Sequence, residues 1–317
     1  MSLSLAARRS CLAVPGSSER MIAKAQTLAS DMFFLDLEDA VAPSAKVDAR
    51  QAVAGALIEG DWGTRIRSVR VNAFGTPWCA DDVATVVQLA GSHLDTIMLP
   101  KCSSPDQVVW LDGALTELES SLGLDSGAIG IEVQIEDAKG LTYVDAISAA
   151  SARTQALHFG PGDFQASMGM PSVSLGQLNP DYPGDVLHHV YGRLLVSARA
   201  HDLQVLDGPY LAIKDLDGLS AAAKRVAAMG FDGKWVLHPD QIDVVNETFS
   251  PSQEQFDRAE LILDAYDYYL SDAGGARGAA MLEGEMIDEA SRAMALVVTA
   301  RGRVAGMTRT TTFTPPN

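Results

Sequence analysis

Eight short apolar runs, each followed by a longer helix-patterned segment, alternate along most of this chain. That alternation constrains the fold more than any other feature. The runs cover residues 12–14, 32–37, 68–72, 96–99, 129–135, 156–159, 204–206 and 235–237. Between them, residues 18–29, 43–58, 81–90, 105–122, 140–150, 191–200 and 218–229 read as helices. The first of these starts with Ser18 as a cap and Glu19 in its opening turn, a common helix start. Crossovers of this length imply parallel strands with helices outside. Eight such units in about 240 residues match a (β/α)8 TIM barrel, which typically takes about 250. A doubly wound open sheet competes with this layout, but no strand is followed by Gly-x-Gly-x-x-Gly.

The chain is thus read as a catalytic barrel over residues 1–245 and a helical extension over 246–317. In the extension, residues 253–270 read as one long helix, and Gly274, Gly275 and Gly278 then loosen the chain. Residues 286–300 read as a further helix, and the Thr- and Pro-rich tail 308–317 is expected to be mobile.

Charge narrows the function. With 24 Lys and Arg against 41 Asp and Glu, the net charge is −17. Nucleic acid and anionic membrane both take their affinity from basic surfaces, so neither is an expected partner. The 47% hydrophobic and 21% charged content is that of a globular chain. Three cysteines (Cys11, Cys79, Cys102) are too few for a disulfide framework and point to a reducing compartment. No signal peptide is read in the first sixteen residues, and no apolar run is long enough to span a bilayer. The expectation is a cytoplasmic enzyme that meets any anionic ligand with local positive charge.

In a barrel, binding groups sit at the C-terminal strand ends. Here those ends carry Asp36-Leu37-Glu38-Asp39, Arg70-Val71-Asn72, Pro100-Lys101, Glu136-Asp137, Gly160-Pro161-Gly162-Asp163, Asp207-Gly208 and His238-Pro239. One acid there commonly caps the next helix, whereas five acidic ends with an inserted Arg point to one shared mouth. No Cys or His pair has zinc spacing, so carboxylates for a hard cation remain. Mg2+ takes one or two protein carboxylates and leaves positions for substrate oxygens; Glu136 and Asp163, from adjacent strands, are the chosen pair. Glu132, on the same strand side as Glu136, either sits deeper in the barrel or marks a register error. Neither Gly-x-Ser-x-Gly nor a Cys/His nucleophile arrangement occurs, and Lys101 reads as a charge partner rather than a Schiff-base lysine.

At these strand ends the sequence resembles the citrate lyase β-subunit-like and malyl-CoA lyase proteins of the HpcH/HpaI aldolase superfamily. The resemblance runs over nearly the whole chain, from Arg9-Ser10-Cys11-Leu12-Ala13-Val14-Pro15-Gly16 through Phe34-Leu35-Asp36-Leu37-Glu38-Asp39-Ala40-Val41-Ala42-Pro43 with Lys46 and Arg50. It continues through Arg70-Val71-Asn72, Leu99-Pro100-Lys101, Phe159-Gly160 with Asp163, and the single stretch from Gly233-Lys234-Trp235 to His238-Pro239-Asp240-Gln241-Ile242, and closes on Gly284-Glu285-Met286-Ile287-Asp288. Seven motifs in register are specific where each alone is weak.

The resemblance implies Mg2+, with Mn2+ as a substitute, at Glu136 and Asp163, and a coenzyme A thioester as substrate. It implies Arg70 as the holder of the keto acid and Glu38 and Asp39 as acids around the metal waters. Asp288 falls on an acid/base carried by a lid that closes over a neighbouring subunit, in a homotrimer or homohexamer, with the three glycines as its hinge. Pro15 and Gly16 belong to the substrate mouth with Lys101, and Arg9, Arg20 and Lys24 are the cations expected to meet the phosphates of coenzyme A. The implied reaction is reversible cleavage of a 3-hydroxyacyl-CoA such as malyl-CoA, β-methylmalyl-CoA or citramalyl-CoA. Its products are acetyl-CoA or propionyl-CoA and a keto acid such as glyoxylate. A citrate lyase β chain, a malate synthase or malyl-CoA thioesterase outcome, and a non-catalytic CoA-thioester binder are the alternatives. One departure stands out: Ile135-Glu136-Asp137-Ala138 replaces the family's usual Ile-Glu-Thr-Ala and adds a carboxylate beside a proposed metal ligand.

Overall fold

In a computed structural model describing residues 6–171 and 173–315, eight parallel strands close in sequence order into one barrel. They are β1 (Ser10–Pro15), β2 (Met32–Asp36), β3 (Ile66–Arg70), β4 (Thr96–Leu99), β5 (Gly130–Ile135), β6 (Thr154–Phe159), β7 (Gln204–Asp207) and β8 (Gly233–Val236). Around them run α1 (Glu19–Ala25), α2 (Lys46–Glu59), α3 (Cys79–Ala90), α4 (Pro105–Leu122), α5 (Ala138–Thr142) and α6 (Val144–Ser148). α7 (Pro161–Ser167), α8 (His188–Ala200), α9 (Leu216–Met229) and α10 (Ile242–Thr248) complete that ring. The (β/α)8 barrel expected from the alternation is therefore present. No helix among the described residues is long and apolar enough to cross a membrane.

Side chains alternate across each strand, and this sorts the residues into two layers. Phe33, Leu35, Val69, Ile131, Val133, Ile135, Leu157 and Phe159 point outward into the apolar layer under the helices. Met32, Phe34, Met98, Ala156, Leu206 and Trp235 fill the barrel interior. Asp36 pairs in register with Arg70 on the next strand, as Met98 does with Glu132. The same alternation resolves Glu132: it lies inside the barrel, fully buried, in register with the inward residues.

Glu132 is held by a polar cluster. Arg8, itself 1% exposed, donates to its Oε1 from Nη2 (3.0 Å) and Nε (3.2 Å). Arg8 also reaches Gln155 at 2.7 Å and Gln204. On the other side His158 Nε2 hydrogen-bonds Glu132 Oε2, and Trp235 Nε1 donates to His158 Nδ1 at 2.7 Å. A buried charge needs partners of this kind.

The chain divides into two compact units, residues 8–249 and residues 250–315 with Ala6 and Ala7. α10 belongs to the barrel unit because Ile242, Val245 and Phe249 lie in its apolar layer. The C-terminal unit contains α11 (Gln253–Leu270), a hairpin of β9 (Ala280–Leu282) and β10 (Glu285–Ile287), and α12 (Glu289–Val304). The single helix expected over 286–300 is corrected here. Glu283 (φ 51°) and Gly284 (φ 91°) make a two-residue left-handed turn that pairs Leu282 with Glu285. α12 starts only at Glu289, where Asp288 caps it. The tail read as mobile is pinned to α11 as far as Phe313. Thr310 hydrogen-bonds Asp257 from its N–H (2.8 Å) and hydroxyl (2.5 Å), and Phe313 packs on Tyr268 and Tyr269. Pro316 and Asn317 lie outside the described residues.

Burial pushes the Glu132 pKa up, but Arg8 and then His158 outweigh it and bring it from 4.5 to about 2. A group whose folded pKa is depressed contributes stability above its unfolded pKa and loses it as pH falls through the folded one. Glu132→Gln is expected to cost about 3–5 kcal/mol at neutral pH, because Arg8 stays buried without its partner. The gap to the unsubstituted protein should narrow as pH falls from 4.5 towards about 2. Denaturant melts at stepped pH read this directly, and a gap that does not change with pH refutes it.

Candidate functional site

Arg70, the last residue of β3, organises the mouth of the barrel. Its Nε and Nη2 donate to the two oxygens of Asp36 at 2.7 and 2.6 Å, a bidentate fork set by the register of β2 against β3. Its Nη1 lies 3.2 Å from Glu38 Oε2, 3.5 Å from Gln134 Oε1 and 4.0 Å from Asp39. Asp36 also accepts the backbone N–H groups of Glu38 (2.9 Å) and Ala40 (3.0 Å), so one carboxylate fixes both the arginine and the turn carrying the next two acids. Lys46 Nζ donates to the carbonyls of Leu37 and Glu38, each at 2.8 Å, and Asn72 donates to Leu37 O at 2.9 Å. That turn is anchored from three directions.

Lys101, just past β4, takes a left-handed backbone (φ 50°), strained for a residue with a side chain. In that conformation its N–H meets Glu136 Oε1 at 2.7 Å while its ammonium reaches Glu38 (2.7 Å) and Asp39 (3.2 Å). Glu136, one residue past β5 and 1% exposed, has its other oxygen on the Gln134 side-chain amide. Gly160 leaves the room this needs, since a Cβ there would fall 2.2 Å from Glu136 Oε2. Asp163 stands in the first turn of α7, exposed at the mouth.

The electrostatics are unbalanced. Burial opposes the charge of Arg70, but Asp36, Glu38 and Glu136 raise its pKa, so it stays a cation. Arg70 outweighs burial at Asp36 and holds it below the usual carboxylate range. Glu38 is shifted up by burial, helped by Asp39 against Arg70, and its Oε2 has no hydrogen-bond partner. Burial, then the charge of Glu38, pushes Glu136 well above its ordinary value; Arg70 opposes this and Asp163 adds to it. Five carboxylates (Asp36, Glu38, Asp39, Glu136, Asp163) share three cations: Arg70, Lys101 and Lys46, whose charge acts on Asp36, Glu38 and Asp39. A hard oxygen donor set with a deficit of positive charge fits a divalent cation such as Mg2+. Among the described residues no three acids, histidines or cysteines gather as a metal cage; two carboxylates with open positions is what Mg2+ requires.

The structure thus brings together Arg70, Glu38, Asp39, Lys101, Glu136 and Asp163. Pro15 and Gly16 lie on β1's end, where Gly16 N–H donates to Asp36 O at 2.8 Å in a fit too tight for a side chain. Pro15, Arg20, Lys24 and Asp36 border a cavity of about 570 Å3 walled by Leu12, Val14, Met21 and Leu237. Arg9 is not at the mouth. It precedes β1 at the opposite barrel end, where Asp31 takes its Nε and Nη2 at 2.7 and 2.8 Å. Asp288 lies in the C-terminal unit, its Oδ1 accepting from Ser291 N–H (3.0 Å) and hydroxyl (3.1 Å). Asp137, the departure from the usual Thr, spends its carboxylate on capping α5 through Gly140 N–H at 2.6 Å, a task Thr also performs.

Three contributors were missed from the sequence. Asp36 was passed over in favour of Glu38 and Asp39, although period-two alternation from Phe34 aims it inward. Gln134 shares the inward side with Glu132 and Glu136, which was signal enough. Trp235, whose ring lies 5.4 Å from the Arg70 guanidinium, carried no signal beyond its motif.

The chain is similar to known proteins over most of its length. The HpcH/HpaI aldolase/citrate lyase family model matches residues 9–239. The chain is 36% identical over 295 residues to the L-malyl-CoA/beta-methylmalyl-CoA lyase of Cereibacter sphaeroides, covering 90% of this chain and 91% of that protein. It is 35% identical over 297 residues to a (3S)-malyl-CoA thioesterase from the same species, covering 94% and 93%. CitE from Mycobacterium tuberculosis, solved with magnesium, acetoacetate and coenzyme A, superposes with a TM-score of 0.70 at 30% identity, covering 94% of this chain and 99% of that one.

Gly160 offers a direct test of the site. Gly160→Ala places a Cβ 2.2 Å from Glu136 Oε2 and 2.5 Å from its Cβ, so Glu136 must move. Displacement of a reacting group by about 1 Å costs on the order of 100-fold in rate. Turnover of Gly160→Ala should fall by that factor with the circular dichroism spectrum unchanged; unimpaired turnover refutes the role given to Glu136.

Proposed function

The chain belongs to the HpcH/HpaI aldolase/citrate lyase family and is a carbon–carbon lyase, and from that premise we propose that it cleaves a 3-hydroxyacyl-CoA such as malyl-CoA, reversibly, to acetyl-CoA and glyoxylate. The observation that carries this reading is the Arg70 fork fixed on Asp36 beside the buried, charge-starved Glu136. Mg2+ at Glu136 and Asp163 would supply Lewis-acid polarisation and a template for the oxygens of the oxo acid.

The chain's own groups do the rest. Arg70, immobilised through Nε and Nη2, presents Nη1 to the oxo-acid carboxylate as a fixed donor, a geometry lysine cannot copy. Lys101 holds Glu38 and Asp39 in place with its ammonium and Glu136 with its N–H. In cleavage a carboxylate takes the hydroxyl proton as the carbon–carbon bond breaks, the oxygen becomes the aldehyde carbonyl and the bond's electron pair passes to the thioester enolate, so that the carboxylate is left as a carboxyl group. A carboxyl group then protonates that α-carbon, and in condensation the same carboxylate removes the proton. Asp288 is assigned this role at the site of a neighbouring copy in a homo-oligomer. Its Ser291 contacts, backbone first, hold its pKa below the usual carboxylate range.

Coenzyme A is placed in the 570 Å3 cavity beside the mouth. Its apolar wall suits the pantetheine arm, and Arg20 and Lys24 meet the phosphates that the −17 chain otherwise repels. Hydrolysis of the thioester on the same residues is the second reading, favoured by the similarity to a malyl-CoA thioesterase.

Incubation with Mg2+ and malyl-CoA separates the readings. Glyoxylate and acetyl-CoA in equal amounts are expected; free CoA with malate instead establishes the thioesterase, and neither product ends the proposal. Asp288→Ala is expected to lower turnover by about 100-fold or more while Mg2+ affinity by calorimetry stays unchanged. Full activity in that variant removes Asp288 from the mechanism.

A further inference from the structure

Arg70 is held in its plane by Asp36, but what supports its face is a pair of aromatic rings. Its Cζ lies 5.3 Å from the Phe34 ring and 5.4 Å from the Trp235 ring, whose centroids are themselves 4.5 Å apart. The rings form one buried floor, Phe34 at 0% and Trp235 at 4% exposure. A guanidinium over aromatic faces gains cation–π attraction and a fixed seat.

The two halves of that floor are anchored differently. Phe34 is packed among apolar neighbours, whereas Trp235 is pinned by a directional bond from Nε1 to His158 Nδ1. Because Nδ1 accepts, the ring proton facing Glu132 sits on Nε2. Glu132 is in turn held by Arg8, which braces against Gln155 and Gln204. An unbroken chain of buried side-chain contacts thus runs from Arg8, next to β1, through the barrel interior to the underside of Arg70. Neither His158 nor Glu132 hydrogen-bonds a group placed in the mouth above.

We infer that Trp235 and His158 are positioning residues for Arg70: the indole, oriented by its bond to His158, sets the tilt of the guanidinium and thereby the affinity for the oxo acid. The inference rests on Arg70 binding that acid, as proposed above, and concerns this half of the substrate only. The cavity assigned to the CoA half is bordered by neither residue.

The test uses the full-length protein loaded with Mg2+ and two readouts. Oxalate, an unreactive dianion shaped like the oxo acid, is titrated calorimetrically, and condensation of acetyl-CoA with glyoxylate is followed for each substrate's KM. His158→Leu should weaken oxalate and raise the glyoxylate KM by about tenfold, with the acetyl-CoA KM within about twofold. His158→Gln, able to accept from the indole and donate to Glu132, should restore most of the loss. Trp235→Phe, which keeps a ring but loses the N–H, should show the same selective loss and carries the test if His158→Leu does not fold. Unchanged oxalate affinity in the folded variants overturns the inference, as does a parallel rise in both KM values, the sign of a merely structural role. An unsubstituted protein that binds oxalate but makes no malyl-CoA overturns the lyase reading alone; one that binds no oxalate overturns both.

Discussion

The buried ion pair between Arg70 and Asp36 is the constraint from which the rest of the mouth follows. Two charges out of water are tolerated only when geometry is good and further hydrogen bonds satisfy what remains. Here the fork uses both oxygens of Asp36, and the turn after β2 folds over the same carboxylate through two N–H groups. The pairing therefore fixes where Glu38 and Asp39 can stand. With Arg70 saturated on one side, only its Nη1 edge remains for Glu38, Gln134 and a ligand. Removing Asp36 would leave the buried guanidinium with only its Nη1 contacts to Glu38, Gln134 and Asp39 and take away one of the three anchors of the acidic turn.

That arrangement also explains the cost accepted at Lys101. A side chain in the left-handed region is unfavourable, yet this conformation lets one residue address Glu136 through the backbone and Glu38 through the ammonium. Two acids from different strands are tied to a single strained position. Burial and the charge of neighbouring acids act together to push the Glu136 pKa up. The acidity of the whole chain is thereby given a local meaning: part of it gathers at the mouth, while Arg20 and Lys24 stand apart beside the adjoining cavity.

Much of this was legible in the residues. Strand–helix alternation gave the barrel, and the polar strand ends gave Arg70, Glu38, Asp39, Glu136 and Asp163, because parallel strands must bring their ends together. What escaped has physical causes. α7 is only seven residues long and opens on Pro161 and Gly162, so it carries little periodicity. The β9–β10 hairpin turns on Glu283-Gly284, and Glu is not a residue that announces a left-handed turn. Arg9 was chosen for its charge, but at a strand's first end it lies at the wrong side of the barrel and already has Asp31. Trp235 and His158 were invisible because apolar-looking interior residues declare a role only when a hydrogen bond between them is seen.

Asp137 shows why a departure from a motif must be weighed against local structure before it is given chemistry. An extra carboxylate next to Glu136 suggests altered metal preference when read along the chain. Asp137 lies past the end of β5 as the residue that caps α5, so its side chain turns to that helix and not to the interior that Glu136 enters. Its oxygen then meets the N–H of Gly140 at the start of α5, a position where Thr and Asp are both favoured caps. The substitution exchanges one capping group for another and leaves the inward series of Glu132, Gln134 and Glu136 intact. What surrounds Arg70 is Asp36 in its plane, Gln134 at its edge and the Phe34–Trp235 floor beneath, none of which Asp137 touches.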